Sequence, residues 1–203
     1  MENEILRTAA KRLAGKMNRY TRKEGLELQK MELGMEIILI NVSKLIIIYT
    51  LAAWLGVLWQ TLTVHSAFIL IKRYSFGLHA LNSTVCTLIS CLMFVVAPMM
   101  LNGVGISNVG VAAAFLVIIS VLYRYAPADT KARPLIGTSL RALLKRKTVV
   151  CGLIVMAAAL LVPNEAFKLL LVLGAAFQSI SILPLTYKIL KRSEKNYEAY
   201  ECA

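Results

Sequence analysis

The stretch Ile37–Ile71 reads IILINVSKLIIIYTLAAWLGVLWQTLTVHSAFILI, and it decides the fold class. Across it the only Asp, Glu, Lys or Arg is Lys44. As one α-helix it would be ~52 Å long at ~1.5 Å per residue, against a hydrocarbon core ~30 Å thick. Two segments fit better, one near 37–58 with Trp59 as an interfacial anchor and one near 62–73, divided at the polar patch Gln60–Thr63. The second is short, which implies tilt, local thinning of the bilayer or partial shielding from lipid.

Four more apolar blocks follow, at about 84–101, 109–123, 148–162 and 166–187. Asn102–Asn108 and Pro163–Glu165 read as tight turns between pairs of them. Tyr125–Lys147 reads as a longer polar loop. The predicted class is all-α: a polytopic membrane protein with about six membrane-embedded helices. Several blocks fall short of the ~20 residues of an ordinary span, so counts from four to six fit the hydropathy. Composition agrees, with 58% apolar residues in 203 and a mean hydropathy of +0.67, above the roughly 45–50% of soluble domains.

Residues 1–36 carry a different pattern. Leu6, Ala9 or Ala10, Leu13, Met17 and Tyr20 recur at helical spacing, with Lys11, Arg12, Lys16 and Arg19 off that stripe. A basic helix with an apolar stripe lies in the membrane interface, and Gly25 and Gly34 are expected to interrupt it. No early apolar run resembles a cleavable signal, so the N-terminus is expected to be retained. The predicted organisation is a cytoplasmic amphipathic segment 1–36, a membrane domain 37–187 and a cytoplasmic tail 188–203.

The net charge of +12 would suggest nucleic acid in a soluble protein. Here the bases flank the apolar blocks, so membrane lipid is the expected partner and nucleic acid is not. Of 23 Lys and Arg, eight lie in 1–36, seven in 124–147 and four in 188–195; Lys44, Lys72, Arg73 and Lys168 complete the set. Six crossings with the N-terminus inside put every cluster on one face and leave Lys168 near the other. The positive-inside rule therefore predicts a multi-pass cell-membrane protein with both termini cytoplasmic.

Cys86, Cys91, Cys151 and Cys202 form no CxxC pair, and only His65 and His79 could join them. Neither a disulfide scaffold nor a zinc site is expected, and no cofactor is called for. Cys91 and Cys151 lie within apolar blocks and read as structural. His65 reads as a satisfied histidine inside the membrane, although ionisable groups there often mark function.

The segment Lys72–Cys86, KRYSFGLHALNSTVC, places a His and a Cys seven residues apart after a short apolar block. A cysteine peptidase needs a thiolate and an imidazole within hydrogen-bond reach. Seven residues on a straight helix share a face but stand ~10.5 Å apart along the axis. His79 is therefore expected in a turn that Gly77 permits, with Cys86 in the first turns of the next helix. Asn82, Ser83 or Thr84 would cap that helix, and its dipole would favour thiolate. Taken alone, one His and one Cys at this spacing is a weak signal that occurs often by chance, and a buried thiol is usually an inert small hydrophobe.

Two motifs together say more. Arg73-Tyr74-Ser75-Phe76-Gly77-Leu78-His79 with Cys86, followed by Arg124-Tyr125-Ala126-Pro127-Ala128-Asp129-Thr130-Lys131 with Arg133-Pro134, resembles the accessory gene regulator protein B (AgrB) family of Gram-positive bacteria. The likeness of layout covers nearly the whole chain. It departs at Phe76-Gly77, where many members carry two glycines. The resemblance implies a membrane cysteine endopeptidase of quorum sensing, with Cys86 as nucleophile and His79 as general base. It further implies removal of the C-terminal tail of a small precursor, AgrD, and cyclisation to a thiolactone or lactone autoinducing peptide.

Arg73, Lys145, Arg146, Lys147 and Asp129 are the expected substrate contacts. The bases of 124–147 have two readings: they hold the loop inside against anionic lipid, or they attract an acidic tail on the precursor. Asp129 would cap a helix or orient His79. Gln178, Ser179 and Ser181 would pack between helices or supply an oxyanion donor. A homodimer is compatible with the sequence, which does not set the oligomeric state. The rival reading is a peptide transporter or exporter without covalent chemistry, which calls for paired charges at mid-membrane; Lys44, His65 and Lys168 make no such pair in sequence.

Overall fold

The computed structural model describes residues 2–77, 83–130, 134–190 and 196–201. Every regular element among them is helical: α1 (Glu2–Thr21), α2 (Gly25–Trp54), α3 (Leu58–Ser75), α4 (Ser83–Cys91), a π-helical turn (Leu92–Val96), α5 (Ala97–Met100), α6 (Asn108–Tyr125), α7 (Thr138–Leu161), α8 (Glu165–Ser181), α9 (Pro184–Ile189) and α10 (Glu198–Glu201). Two compact units divide the chain, residues 1–51 and 52–203.

In the first unit, α1 and the start of α2 are joined by a turn held by Asn18. Its Oδ1 accepts from the Lys23 amide at 2.6 Å, and its Nδ2 donates to the Lys23 carbonyl at 2.9 Å. Gly25, with φ 55°, opens α2 as expected. Gly34 does not interrupt it; α2 continues from Gly25 through Trp54. A glycine inside a helix costs about 1 kcal/mol, and the helix formers Leu26–Leu33 and Met35–Ile40 on either side outweigh it. The break between the first two apolar helices also differs from expectation. It lies at Leu55–Val57, where Gly56 has φ 70°, whereas the patch Gln60–Thr63 is helical. Within that run Thr63 Oγ1 donates to the Trp59 carbonyl at 2.8 Å without breaking the helix, while Thr61 Oγ1 is buried with no partner among the described residues.

In the second unit, α3, α6, α7 and α8 pack around Ile71, Val111, Phe115, Leu122, Val155 and Ala175. Small residues let the axes approach, as between helices in lipid. A Cβ on Gly174 of α8 would overlap the Val64 carbonyl oxygen of α3 and stand 2.8 Å from the Ala67 Cβ. The turns before α6 and α8 are capped by Ser107 and Asn164 and meet where the Ile106 amide donates to the Glu165 carbonyl at 3.2 Å. The ends of α3, α6 and α8 and the start of α7 gather at the opposite end.

The π turn has a local cause. Pro98 has no N–H and its ring crowds the carbonyl four residues back, so the Ala97 amide reaches instead to the Leu92 carbonyl. The bulge projects Phe94, which is buried, against His65 (4.6 Å between ring centroids), Phe68 (5.0 Å) and Phe177 (6.4 Å). The helix bearing Cys86 is thereby keyed to α3 and α8.

Helices α2 and α6 are each long and apolar enough to cross a membrane, and only 11% and 22% of their most apolar windows are buried. Ile38, Ile46, Val109, Leu116 and Val117 are exposed on them. A core helix would bury such residues; an exposed apolar surface of this kind wants lipid.

Candidate active site

The Arg73–Gly77 motif ends α3 and leaves it in a reversed backbone. Phe76 has φ 56° and Gly77 φ 106°, values that glycine adopts freely and phenylalanine rarely. Three sets of bonds hold this turn. The Ala128 amide donates to the Ser75 carbonyl at 2.9 Å, and the Gly77 amide donates to the Ala128 carbonyl at 3.1 Å, an isolated parallel bridge between residues 76 and 128. Gln178 Nε2, from α8, donates to Ser75 Oγ at 2.7 Å and to the Phe76 carbonyl at 2.8 Å. Ser75 Oγ in turn donates to the Ile71 carbonyl at 3.0 Å. A Cβ on Gly77 would stand 2.9 Å from Ser181 Oγ and 3.1 Å from Ile182 Cγ2, so both conformation and space exclude a side chain.

The two motifs distant in sequence are thus bonded to each other through their backbones. Gln178 is the clamp that sequence reasoning left between packing and oxyanion donation: its amide donors are spent on the turn, and its Oε1 is buried with no partner among the described residues. The signal for it was an amide in an otherwise apolar span.

His79 and the rest of 78–82 lie outside the described residues. α3 ends at Ser75 and α4 begins at Ser83, so the expected placement of His79 in a turn falls on residues that are not described. Cys86 falls in the first turn of α4 and is half-buried, as is Cys91; Cys151 is buried.

The expected substrate residues divide into two places. Arg73 is exposed at the end of α3, with its guanidinium 5.7 Å from the Tyr74 ring, and Lys147 Nζ stands 5.4 Å from the same ring. Arg146 is exposed. Lys145 Nζ sits 5.3 Å from the Tyr123 ring and lines a cavity of about 790 Å³ with Arg124, Asp129, Arg141, Tyr187 and Tyr197. The bases 141–147 are helical and not in a loop, since α7 starts at Thr138; the run SLRALLKRK consists mostly of strong helix formers.

Asp129 is buried, and its carboxylate accepts from the Asn196 amide at 3.1 Å, Asn196 Nδ2 at 3.4 Å and the Tyr197 amide at 2.9 Å. Its carbonyl accepts from the Tyr187 hydroxyl at 2.9 Å. It therefore anchors the segment before α10 in the manner of a cap. Sequence reasoning missed Arg141 and Glu201 as a pair, which are 60 positions apart: Arg141 Nη1 and Nη2 donate to the two Glu201 oxygens at 2.6 and 3.0 Å.

The site is a clamped turn leading into a thiol-bearing helix, beside a basic cavity, in a helical membrane protein. The chain belongs to the accessory gene regulator B family, whose model matches residues 10–182. It is 40% identical to an AgrB-like protein of Clostridium acetobutylicum over 98% of this chain and 96% of that one. With an AgrB-like protein of Listeria monocytogenes it shares 48% identity over 85% and 84% of the two chains. With the accessory gene regulator protein B of Staphylococcus intermedius it shares 31% over 89% and 95%. No solved structure matches significantly.

Proposed function

We propose that this protein is a multi-pass membrane cysteine endopeptidase that trims a quorum-sensing pro-peptide of the AgrD kind and promotes its cyclisation. The observation that carries the reading is the clamped reversal at Ser75–Gly77, which ends α3 just before His79, with Cys86 in the first turn of the following helix α4. In this mechanism His79 takes the Cys86 thiol proton, and the thiolate attacks the scissile carbonyl. The C–N bond breaks, His79 returns the proton to the leaving amine, and a thioester joins the precursor to Cys86. A thiol or hydroxyl of the precursor then displaces Cys86, giving a thiolactone or lactone and regenerating the thiol. Exclusion of water from the site favours this exchange over hydrolysis.

Arg73, Lys145, Arg146 and Lys147 attract the acidic tail of the precursor, and six membrane-embedded helices with both termini cytoplasmic place these bases where a cytoplasmic peptide meets them. The test traps the intermediate. With a precursor lacking its cyclising nucleophile, the wild-type protein accumulates an adduct at Cys86 that hydroxylamine releases. Cys86→Ala abolishes cleavage, and His79→Ala slows it by about 10²–10⁴-fold, the usual loss for acid–base catalysis. Cleavage by Cys86→Ala, or an adduct on another cysteine, overturns the mechanism.

A further inference from the structure

The start of α7 is built to hold a carboxylate. Glu201 Oε1 accepts from the Gly137 amide at 2.7 Å and from Arg141 Nη1 at 2.6 Å, while Oε2 accepts from Nη2 at 3.0 Å. Arg141 is oriented for this by a bond from Nη1 to the Leu135 carbonyl at 3.0 Å and by the Tyr197 ring, whose centroid lies 3.9 Å from its guanidinium carbon. The Arg141 side chain is 17% exposed. A planar fork, a backbone donor and the positive end of a 24-residue helix converge on one anion.

The occupant comes from the same chain and is held at two points. Residues 196–201, NYEAYE, hang by the Asn196 and Tyr197 amides from Asp129 and by Glu201 from Arg141. Tyr197 is itself part of the wall of the basic cavity. Arg124 and Lys145 on that wall have no carboxylate partner among the described residues. The segment is acidic and aromatic where the cavity is basic. Asp129 accepts from main-chain amides, which any extended peptide offers, and Arg141 donates to any carboxylate; neither contact is particular to this segment.

We propose that residues 196–201 act as a built-in competing ligand of an acidic-peptide site formed by Asp129, Gly137 and Arg141, which an incoming acidic peptide must displace. Naming that peptide as the precursor's tail rests on the proposed function; the site and its internal competitor do not. A tethered ligand acts at an effective concentration of order millimolar, so it suppresses binding of a free peptide of the same chemistry by about tenfold or more.

The probe is a fluorescent, N-acetylated, C-amidated peptide Asn-Tyr-Glu-Ala-Tyr-Glu, with the full-length protein in a neutral detergent free of anionic lipid. Glu201→Gln should bind it about tenfold more tightly than the wild type. Arg141→Gln should lose binding, with Glu201 intact or replaced, and the peptide with Gln at both Glu positions should not bind. Equal or weaker binding by Glu201→Gln, or retained binding by Arg141→Gln, overturns the proposal. In precursor cleavage, Glu201→Gln should lower KM with kcat unchanged. An unmoved KM beside tighter peptide binding overturns the identification of the peptide as precursor. Absence of cleavage by the wild type refutes the peptidase reading and leaves the peptide-binding result to stand or fall by itself.

Discussion

Replacing Gln178 with Leu separates the clamp from the bundle it sits in. Gln178 is fully buried and makes two bonds to the turn at Ser75 and Phe76. Each such bond contributes a net ~0.5–1.5 kcal/mol, so the turn loses about 1–3 kcal/mol of support. Against this, Leu removes the unpartnered buried Oε1, a liability worth about 1–3 kcal/mol by itself. Leu also fits the apolar core. The two effects nearly cancel in global stability but do not cancel at the turn, which simply loses its hold. A loss of 1–3 kcal/mol there corresponds to about 5- to 150-fold in the population of the clamped turn. Precursor cleavage by Gln178→Leu should fall within that range while its thermal midpoint in detergent stays close to wild type. The Gly77 amide, bonded to Ala128, should exchange with solvent faster. A folded Gln178→Leu that cleaves within twofold of wild type, with unchanged exchange at Gly77, would refute the clamp.

Gly174→Leu drives a side chain into the Val64 carbonyl and the Ala67 methyl, forcing α3 from α8; overpacking of this kind costs about 1–3 kcal/mol or more, read as a lower thermal midpoint and less monodisperse protein. The Glu201 carboxyl is held below its usual range first by its bond to Arg141 and then by the Gly137 amide, and Arg141 is raised by the same partner. Glu201 therefore contributes fully to holding its segment above the ordinary carboxylate pKa of ~4.3 and loses that contribution as pH falls through its lowered value. Tyr200→Trp fluorescence should report release in acid, and Glu201→Gln should remove the Glu201-dependent part of that transition. Replacing Lys145, Arg146 and Lys147 with Gln should weaken precursor binding and flatten its salt dependence; unchanged binding at every salt concentration leaves those bases a lipid role only. An impermeant thiol reagent should reach a cysteine placed at residue 105 from outside the cell and one at 135 only from inside, and the reverse pattern would end the proposed topology.

Most helices were legible because their causes are local. Hydropathy and periodicity marked the apolar runs that became α2 to α8, and Gly77 marked the break before His79 because a positive φ is a property of a single residue. Local signals misled where two of them competed. Gly34 lost to the helix formers around it, and the polar run Gln60–Thr63 stayed helical because hydroxyls such as that of Thr63 bond back to the preceding turn. The bases Lys145–Lys147 looked like loop because charge was read as solvent, when their propensity is helical.

What the sequence by itself determined is therefore the helical membrane class, the break at Gly77 before His79, and the two motifs that point to the family. Only the tertiary structure decided that those motifs bond to each other, that Gln178 holds their junction, and that Asp129 and Arg141 are filled by residues 196–201. These pairings join positions from 51 to 103 apart along the chain. A hydrogen bond is satisfied by any donor and acceptor that folding brings within about 3 Å, so the residue types announce that a partner is needed without saying which one the packed helices supply.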